Sequence, residues 1–141
     1  MLDIEIRNKL INAALEARKN SYAPYSGYFV GAALLCDDGA IVTGCNVENA
    51  SYGATNCAER TAVFKAVSDG KQRFTAIAIA GGKDREQATD YAYPCGVCRQ
   101  VLREFSVPEE MAVIVCKSEN DYDEKTLAEL LPNSFGPENL S

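Results

Sequence analysis

The sequence predicts an α/β fold, a three-layer α/β/α sandwich in which one sheet is covered by helices on both faces. Three observations carry this expectation. The patterns follow one another as helix, hairpin, helix, strand, helix, strand, and each of the last two helices crosses between strands. The segments FTAIAIA (74–80) and MAVIVC (111–116) are apolar almost throughout, as buried strands are. The length of 141 residues suits one domain around one core. Residues 1–141 carry no repeat, low-complexity tract or linker, so they read as a single domain.

The elements follow in order. Leu2, Ile6, Leu10, Ala13, Ala14 and Ala17 recur at helical spacing, which predicts an amphipathic helix over 2–19. Asn20-Ser21 and Ala23-Pro24 end it. YFVGAALLC (28–36) and AIVTGCN (40–46) read as two strands joined at Asp37-Asp38-Gly39, a hairpin. Residues 47–56, with their Asn, Ser, Tyr and Gly, read as a functional loop. CAERTAVFKAVS (57–68) is helical and stops at Asp69-Gly70. A polar, loop-like stretch covers 81–93. A second core helix covers 95–105, with Val97, Val101, Leu102 and Phe105 apolar. Thr126–Leu131 suggests a short helix that Pro132 ends. Both cysteine-bearing helices begin after a strand or loop, which places their N-termini at one edge of the sheet. Ligands commonly bind at such edges.

Composition narrows the partners. A net charge of −6 and a pI of about 4.7 oppose nucleic-acid binding, which normally uses a basic face. A neutral or cationic small molecule fits better. The N-terminus MLDIEIRNKL lacks the apolar core of a signal peptide, and no apolar run approaches the roughly 20 residues a bilayer requires. A cytoplasmic location is expected, with no membrane partner. Six cysteines in such a chain point to metal first, with a redox pair or disulfides as the competing readings.

The chemistry concentrates at Pro94-Cys95-Gly96-Val97-Cys98 and Cys57-Ala58-Glu59. Cys95 and Cys98 sit three residues apart at a helix start, a spacing that lets both sulfurs face one ion. Pro94 precedes the first turn, where its missing N–H costs little. Helix N-termini favour thiolate over thiol, and Cys57 holds the same kind of position on the earlier helix. Three thiolates leave one corner of a zinc tetrahedron open for water. The chain contains no histidine, so Glu59 is the nearby group able to move protons. The bland reading of Glu59 is a first-turn carboxylate that stabilises the helix dipole. A divalent ion with three thiolates is net negative and needs a compensating cation; Arg60 directly follows Glu59 and Arg99 directly follows Cys98, and either could donate to the sulfurs. Cys36, Cys45 and Cys116 lie in or at the ends of apolar strands and read as small buried hydrophobes.

Together these segments resemble the cytidine deaminases of the small, homotetrameric, three-cysteine type, whose superfamily signature pairs C/H-x-E with P-C-x-x-C. The resemblance also covers Ala23-Pro24-Tyr25-Ser26, Val30-Gly31-Ala32-Ala33-Leu34, Gly44-Cys45-Asn46-Val47-Glu48-Asn49-Ala50, Cys98-Arg99-Gln100 and Leu130-Leu131-Pro132-Asn133-Ser134-Phe135-Gly136-Pro137. It implies a mixed five-stranded sheet and one Zn²⁺ per subunit on Cys57, Cys95 and Cys98. Glu59 becomes the proton shuttle and Arg60 the neutralising cation. Asn46 and Glu48 would bind ribose hydroxyls, with Ala58 and Tyr28 as further substrate contacts. Phe135 would close the base pocket of a neighbouring subunit in a homotetramer with shared active sites. The implied activity is hydrolytic deamination of cytidine and 2′-deoxycytidine to uridine and 2′-deoxyuridine in pyrimidine salvage. The alternative is a related aminopyrimidine nucleoside, such as a nucleoside antibiotic. Two departures stand out. Ser26-Gly27-Tyr28-Phe29-Val30 puts Tyr28 where the family usually has Phe, and a one-residue slip of the strand would present Phe29 instead. The loop 82–92 is also longer and more charged than the compact family form.

Overall fold

The computed structural model describes residues 2–141. A five-stranded mixed sheet runs in the order β2-β1-β3-β4-β5, from β1 (Phe29–Cys36), β2 (Ile41–Cys45), β3 (Phe74–Gly82), β4 (Ala112–Ser118) and β5 (Asp121–Thr126). Only β3 and β4 pair in parallel, and the other three pairings are antiparallel. The helices are α1 (Ile4–Ala17), α2 (Ala58–Ser68), α3 (Gly96–Glu104) and the short α4 (Leu127–Leu130). The Asp3 carboxylate caps α1 by accepting from the Glu5 amide at 2.9 Å.

Strand alternation divides the core into two layers. Ala33, Leu35, Ala76, Ala78, Ala80, Ile114 and Cys116 face α1 and bury Leu10, Ile11 and Ala14. Ala32, Leu34, Ile77, Ile79, Val113 and Val115 face the other way, against Ala58, Ala62 and Val63 of α2 and Leu102 of α3. This is the expected α/β/α sandwich. The expected borders hold within two residues, but β3 and β4 run two residues further than expected, to Gly82 and Ser118, so Gly81 and Gly82 belong to a strand and not to the polar stretch expected over 81–93. The helix expected over 2–19 ends at Ala17 and passes into a 3-10 turn at Arg18–Asn20.

The fifth strand, β5, is the element that the residue patterns alone leave unassigned. Its sequence, DYDEKT, is almost wholly polar because it lies at the sheet edge and pairs with β4 alone. Half-buried edge strands show no apolar run, and Asp, Glu and Lys are poor strand formers.

Gly44 of β2 lets α2 close onto the sheet. A β-carbon there would stand 2.5 Å from the Ala62 amide nitrogen and 2.7 Å from the Ala58 carbonyl oxygen. The first turn of α2 therefore rests directly on strand backbone.

Candidate active site

Two helix starts meet at the site. Cys57 is the N-cap of α2 and Cys95 the N-cap of α3, both with extended backbone and with side chains that make no capping bond. The sulfurs are thus left to converge with Cys98, which lies in the first turn of α3. Cys95 Sγ lies 3.5 Å from Cys98 Sγ and 4.0 Å from Cys57 Sγ. All three sulfurs lie within 4.8 Å of one another. Ligands at about 2.3 Å in a tetrahedron place sulfurs about 3.8 Å apart, so the cluster fits a zinc ion. None of the cysteines is in a disulfide; Cys36 and Cys116 are buried in the core as expected, whereas Cys45, at the end of β2, is only half-buried.

The electrostatics agree with the fit. Arg60, one turn into α2, donates through Nη2 to Cys57 Sγ at 3.2 Å. Its Nε is buried without a partner, a spare donor beside the sulfurs. Hydrogen bonds from the Cys98 thiol and from Arg60 hold Cys57 well below the usual thiol range. Cys98, sharing its proton with Cys57 and buried, is pushed up. Two thiols that share one proton in this way, with the third sulfur of Cys95 beside them, are arranged for a cation to stabilise. Arg99 has a different task. It donates to the Pro94 carbonyl at 2.8 Å and the Leu130 carbonyl at 2.6 Å, tying α3 to α4.

Glu59 sits at the second position of α2 and is only 4% exposed. Burial pushes its carboxyl up to about 7, with the Cys57 charge adding to the effect. Cys57 caps the helix while Glu59 turns toward the same end, and both line one cavity of about 510 Å³. Tyr28, Asn46, Glu48, Ala58 and Cys95 line it too. A larger cavity, about 890 Å³, surrounds Arg103, Pro108 and Glu138, but it holds no thiol and no buried carboxylate. The chemistry therefore belongs to the smaller one.

The remaining site residues have specific anchors. Asn46 is buried and bridges the start of β1, donating to the Tyr28 carbonyl at 2.7 Å and accepting from the Val30 amide at 3.0 Å. One amide N–H and one lone pair remain for a ligand. Glu48 accepts from the Tyr25 amide at 2.9 Å, the Ser26 amide at 3.1 Å and the Ser26 hydroxyl. These bonds, the Ser26 hydroxyl foremost, keep its carboxylate below the ordinary range and ionised. Tyr28 faces the cavity, whereas the Phe29 ring lies under the Arg85 guanidinium, 4.0 Å from its centroid. No one-residue slip occurs, because Val30 pairs with Gly81. Phe135 lies away from this cavity, 57% exposed, and Gln100 donates to its carbonyl at 2.9 Å. Sequence patterns had not singled out Thr55, Asn56, Tyr91, Ala92 and Tyr93, which complete the lining.

A two-helix zinc site on a mixed sheet, with a buried glutamate and a small cavity, defines a zinc-dependent hydrolytic deaminase class. The family model "Cytidine and deoxycytidylate deaminase zinc-binding region" matches residues 4–117, and the chain belongs to that family. It is 49% identical over 140 residues to the cytidine deaminase of Sporosarcina psychrophila, covering 99% of this chain and 96% of that one. It is 46% identical to that of Halalkalibacterium halodurans, covering 96% and 98%. Among solved structures, the cytidine deaminase of Burkholderia pseudomallei superposes with a TM-score of 0.80 at 45% identity, over 90% of this chain and 97% of that one.

Proposed function

We propose that this protein hydrolyses cytidine and 2′-deoxycytidine to uridine and 2′-deoxyuridine, releasing ammonia. The observation that carries the reading is the buried Glu59 carboxyl opening into one cavity with Cys57 and Cys95, while Cys98 completes the sulfur cluster behind it. The named relatives above are cytidine deaminases, which favours this substrate over an antibiotic nucleoside.

Cys57, Cys95 and Cys98 would hold one zinc ion, which when bound would supply Lewis acidity and lower the pKa of a bound water. Glu59 performs the proton transfers. Hydrolysis at C4 needs a base for the attacking water, an acid for ring N3, and a proton on the departing amine. The buried Glu59 carboxyl serves each step in turn: it takes the proton of the attacking water and passes it to N3, then takes the proton of the new C4 hydroxyl and passes it to the leaving amine. Arg60 donates to Cys57 and withdraws charge from the thiolates, so the site keeps its electrophilic character. Glu48, held ionised, and the free valences of Asn46 receive the ribose hydroxyls. The Tyr28 ring offers an apolar face to the nucleoside, and the Ala58 methyl at the start of α2 fills the floor without adding bulk.

Phe135 serves a second copy of the chain, in a homotetramer with shared active sites. Its exposure and its distance from its own cavity support this. Among the described residues no helix is long and apolar enough to cross a membrane. The acidic charge agrees with a free nucleoside rather than a polynucleotide as substrate, and we place the enzyme in the cytoplasm. The test is an absorbance assay on the zinc-loaded protein with cytidine, deoxycytidine, their nucleotides and cytosine. Turnover confined to the two nucleosides is expected. Turnover of none, or of a nucleotide in preference, would sink the proposal.

A further inference from the structure

After β3 ends at Gly82 the chain loops out and returns at Asp90, which bridges to Gly81. From there it runs to Pro94 through a tight turn at Ala92, where the Tyr93 amide donates to the Tyr91 carbonyl at 3.1 Å. Ala92 turns into the core and is 8% exposed, while Tyr91 and Tyr93 on either side stay outward. Strand alternation puts Asp121 and Asp123 on one face of β5. The Tyr91 hydroxyl donates to the Asp121 carboxylate, and the Tyr93 hydroxyl donates to the Asp123 carboxylate. Both links join residues 30 apart in sequence, so they form two successive rungs between parallel-running segments. The Lys117 ammonium sits over the Tyr91 ring, 4.4 Å from its centroid. Both tyrosines also line the cavity that holds Cys57, Glu59 and Cys95.

Each phenol is thus bound at its oxygen to a carboxylate on the sheet edge and presents its ring to the cavity. Hydrogen bonds to an ionised acceptor are the stronger kind. An untethered tyrosine ring would sample several rotamers, and ordering it would oppose ligand binding.

We propose that Tyr91 and Tyr93 form a substrate-contacting wall of the pocket, and that Asp121 and Asp123 are positioning residues that hold this wall in its binding geometry. This rests on the reading that the pocket takes a pyrimidine nucleoside. The wall touches parts of the nucleoside that do not react, so it contributes equally to ground-state and transition-state binding. Its loss therefore raises KM and leaves kcat in place.

The test measures kcat and KM for cytidine, with zinc content and the unfolding midpoint, in the zinc-loaded enzyme. The variants are Tyr93→Phe, Asp123→Ala, the pair combined, and Asp123→Asn. Tyr93→Phe and Asp123→Ala should each raise KM about fivefold, the worth of one typical hydrogen bond. The combined variant should be no worse than the weaker-binding single one, because both remove the same bond. Asp123→Asn should recover most of the loss, since its amide oxygen still accepts from the phenol. In each case kcat should stay within about twofold and zinc should stay stoichiometric. KM effects that multiply in the double variant, an unchanged KM in the singles, or a fall in kcat alone would overturn the inference. If the parent enzyme turns over no cytidine, the nucleoside reading fails and this inference falls with it. A working parent with flat or multiplying KM effects overturns the inference alone.

Discussion

Gly44→Ala tests whether the seating of α2 on the sheet sets the catalytic geometry. The added methyl carbon would meet the Ala62 nitrogen at 2.5 Å, the Ala58 oxygen at 2.7 Å and the Thr61 β-carbon at 3.0 Å. The first two are backbone atoms of α2 and have no rotamer by which to escape. Ordinary contacts are about 3.4 Å, so the first turn of the helix must lift by roughly 0.7–0.9 Å. That turn carries Glu59 and follows Cys57. A misplacement of about 1 Å lowers turnover by about 10²-fold when reacting groups depend on it. Overpacking of this kind costs about 1–3 kcal/mol, which lowers the melting temperature by roughly 3–10 °C in a chain of this size. The assay pairs cytidine turnover with calorimetry and zinc analysis at a temperature where the variant is fully folded. The expected result is a folded, zinc-bearing enzyme with kcat down by about two orders of magnitude. A variant with the melting loss and unimpaired kcat would refute the claim that this contact positions Glu59.

Other perturbations separate the roles of the remaining residues. Glu59→Gln should keep zinc and fold while turnover falls by about 10⁴-fold, the upper end for a positioned acid–base group, because no histidine stands by to move the protons. The same variant makes a pH prediction for the metal-free protein. Burial raises the folded-state carboxyl from 4.5 to about 7, so the fold disfavours its ionised form. The resulting penalty is small below pH 4.5, grows up to pH 7, and then levels off at about 3 kcal/mol. Denaturant unfolding of chelated protein should therefore show Glu59→Gln more stable than the parent at pH 8 and little different near pH 5. An equal gain at both pH values would refute this. Cys95→Ala should lose metal, and retained stoichiometric zinc by elemental analysis would contradict the ligand set. Arg18→Met should strand the carbonyls of Phe29, Gly82, Asp84 and Arg85, which Arg18 now binds at 3.1, 3.1, 2.7 and 3.4 Å. A loss of about 2–4 kcal/mol is expected by denaturant unfolding, and an unchanged midpoint would show that water replaces the guanidinium freely.

Much of this was legible in the residues, for identifiable reasons. β1, β3 and β4 are apolar where they are buried on both faces, so burial wrote itself into composition. Cys95 and Cys98 announce a shared metal ion because helical spacing brings their sulfurs together without any help from the rest of the chain. The meeting of Cys57 with that pair is different. It depends on the sheet bringing two helix starts together, and only the combined pattern of the motifs hinted at it. β5 was opaque because an edge strand needs no apolar face, and the tyrosine wall was opaque because it lies in a stretch whose charge reads as loop. The role of Asn46 was only half visible. An amide suits a ribose hydroxyl, but its bonds to Tyr28 and Val30 are long-range contacts that spacing does not encode.

The polar edge has a colloidal consequence. An unpaired strand edge is a template on which further chains can add, and charge is a common guard against it. On β5 that guard is Asp121, Asp123, Glu124 and Lys125, and two of these carboxylates also hold the tyrosines. Neutralising the edge would therefore have two effects at once, a slacker pocket and a stickier strand. Activity lost from such a variant should be read beside light scattering, because fibrous or amorphous self-association would remove enzyme from the assay and imitate weak binding.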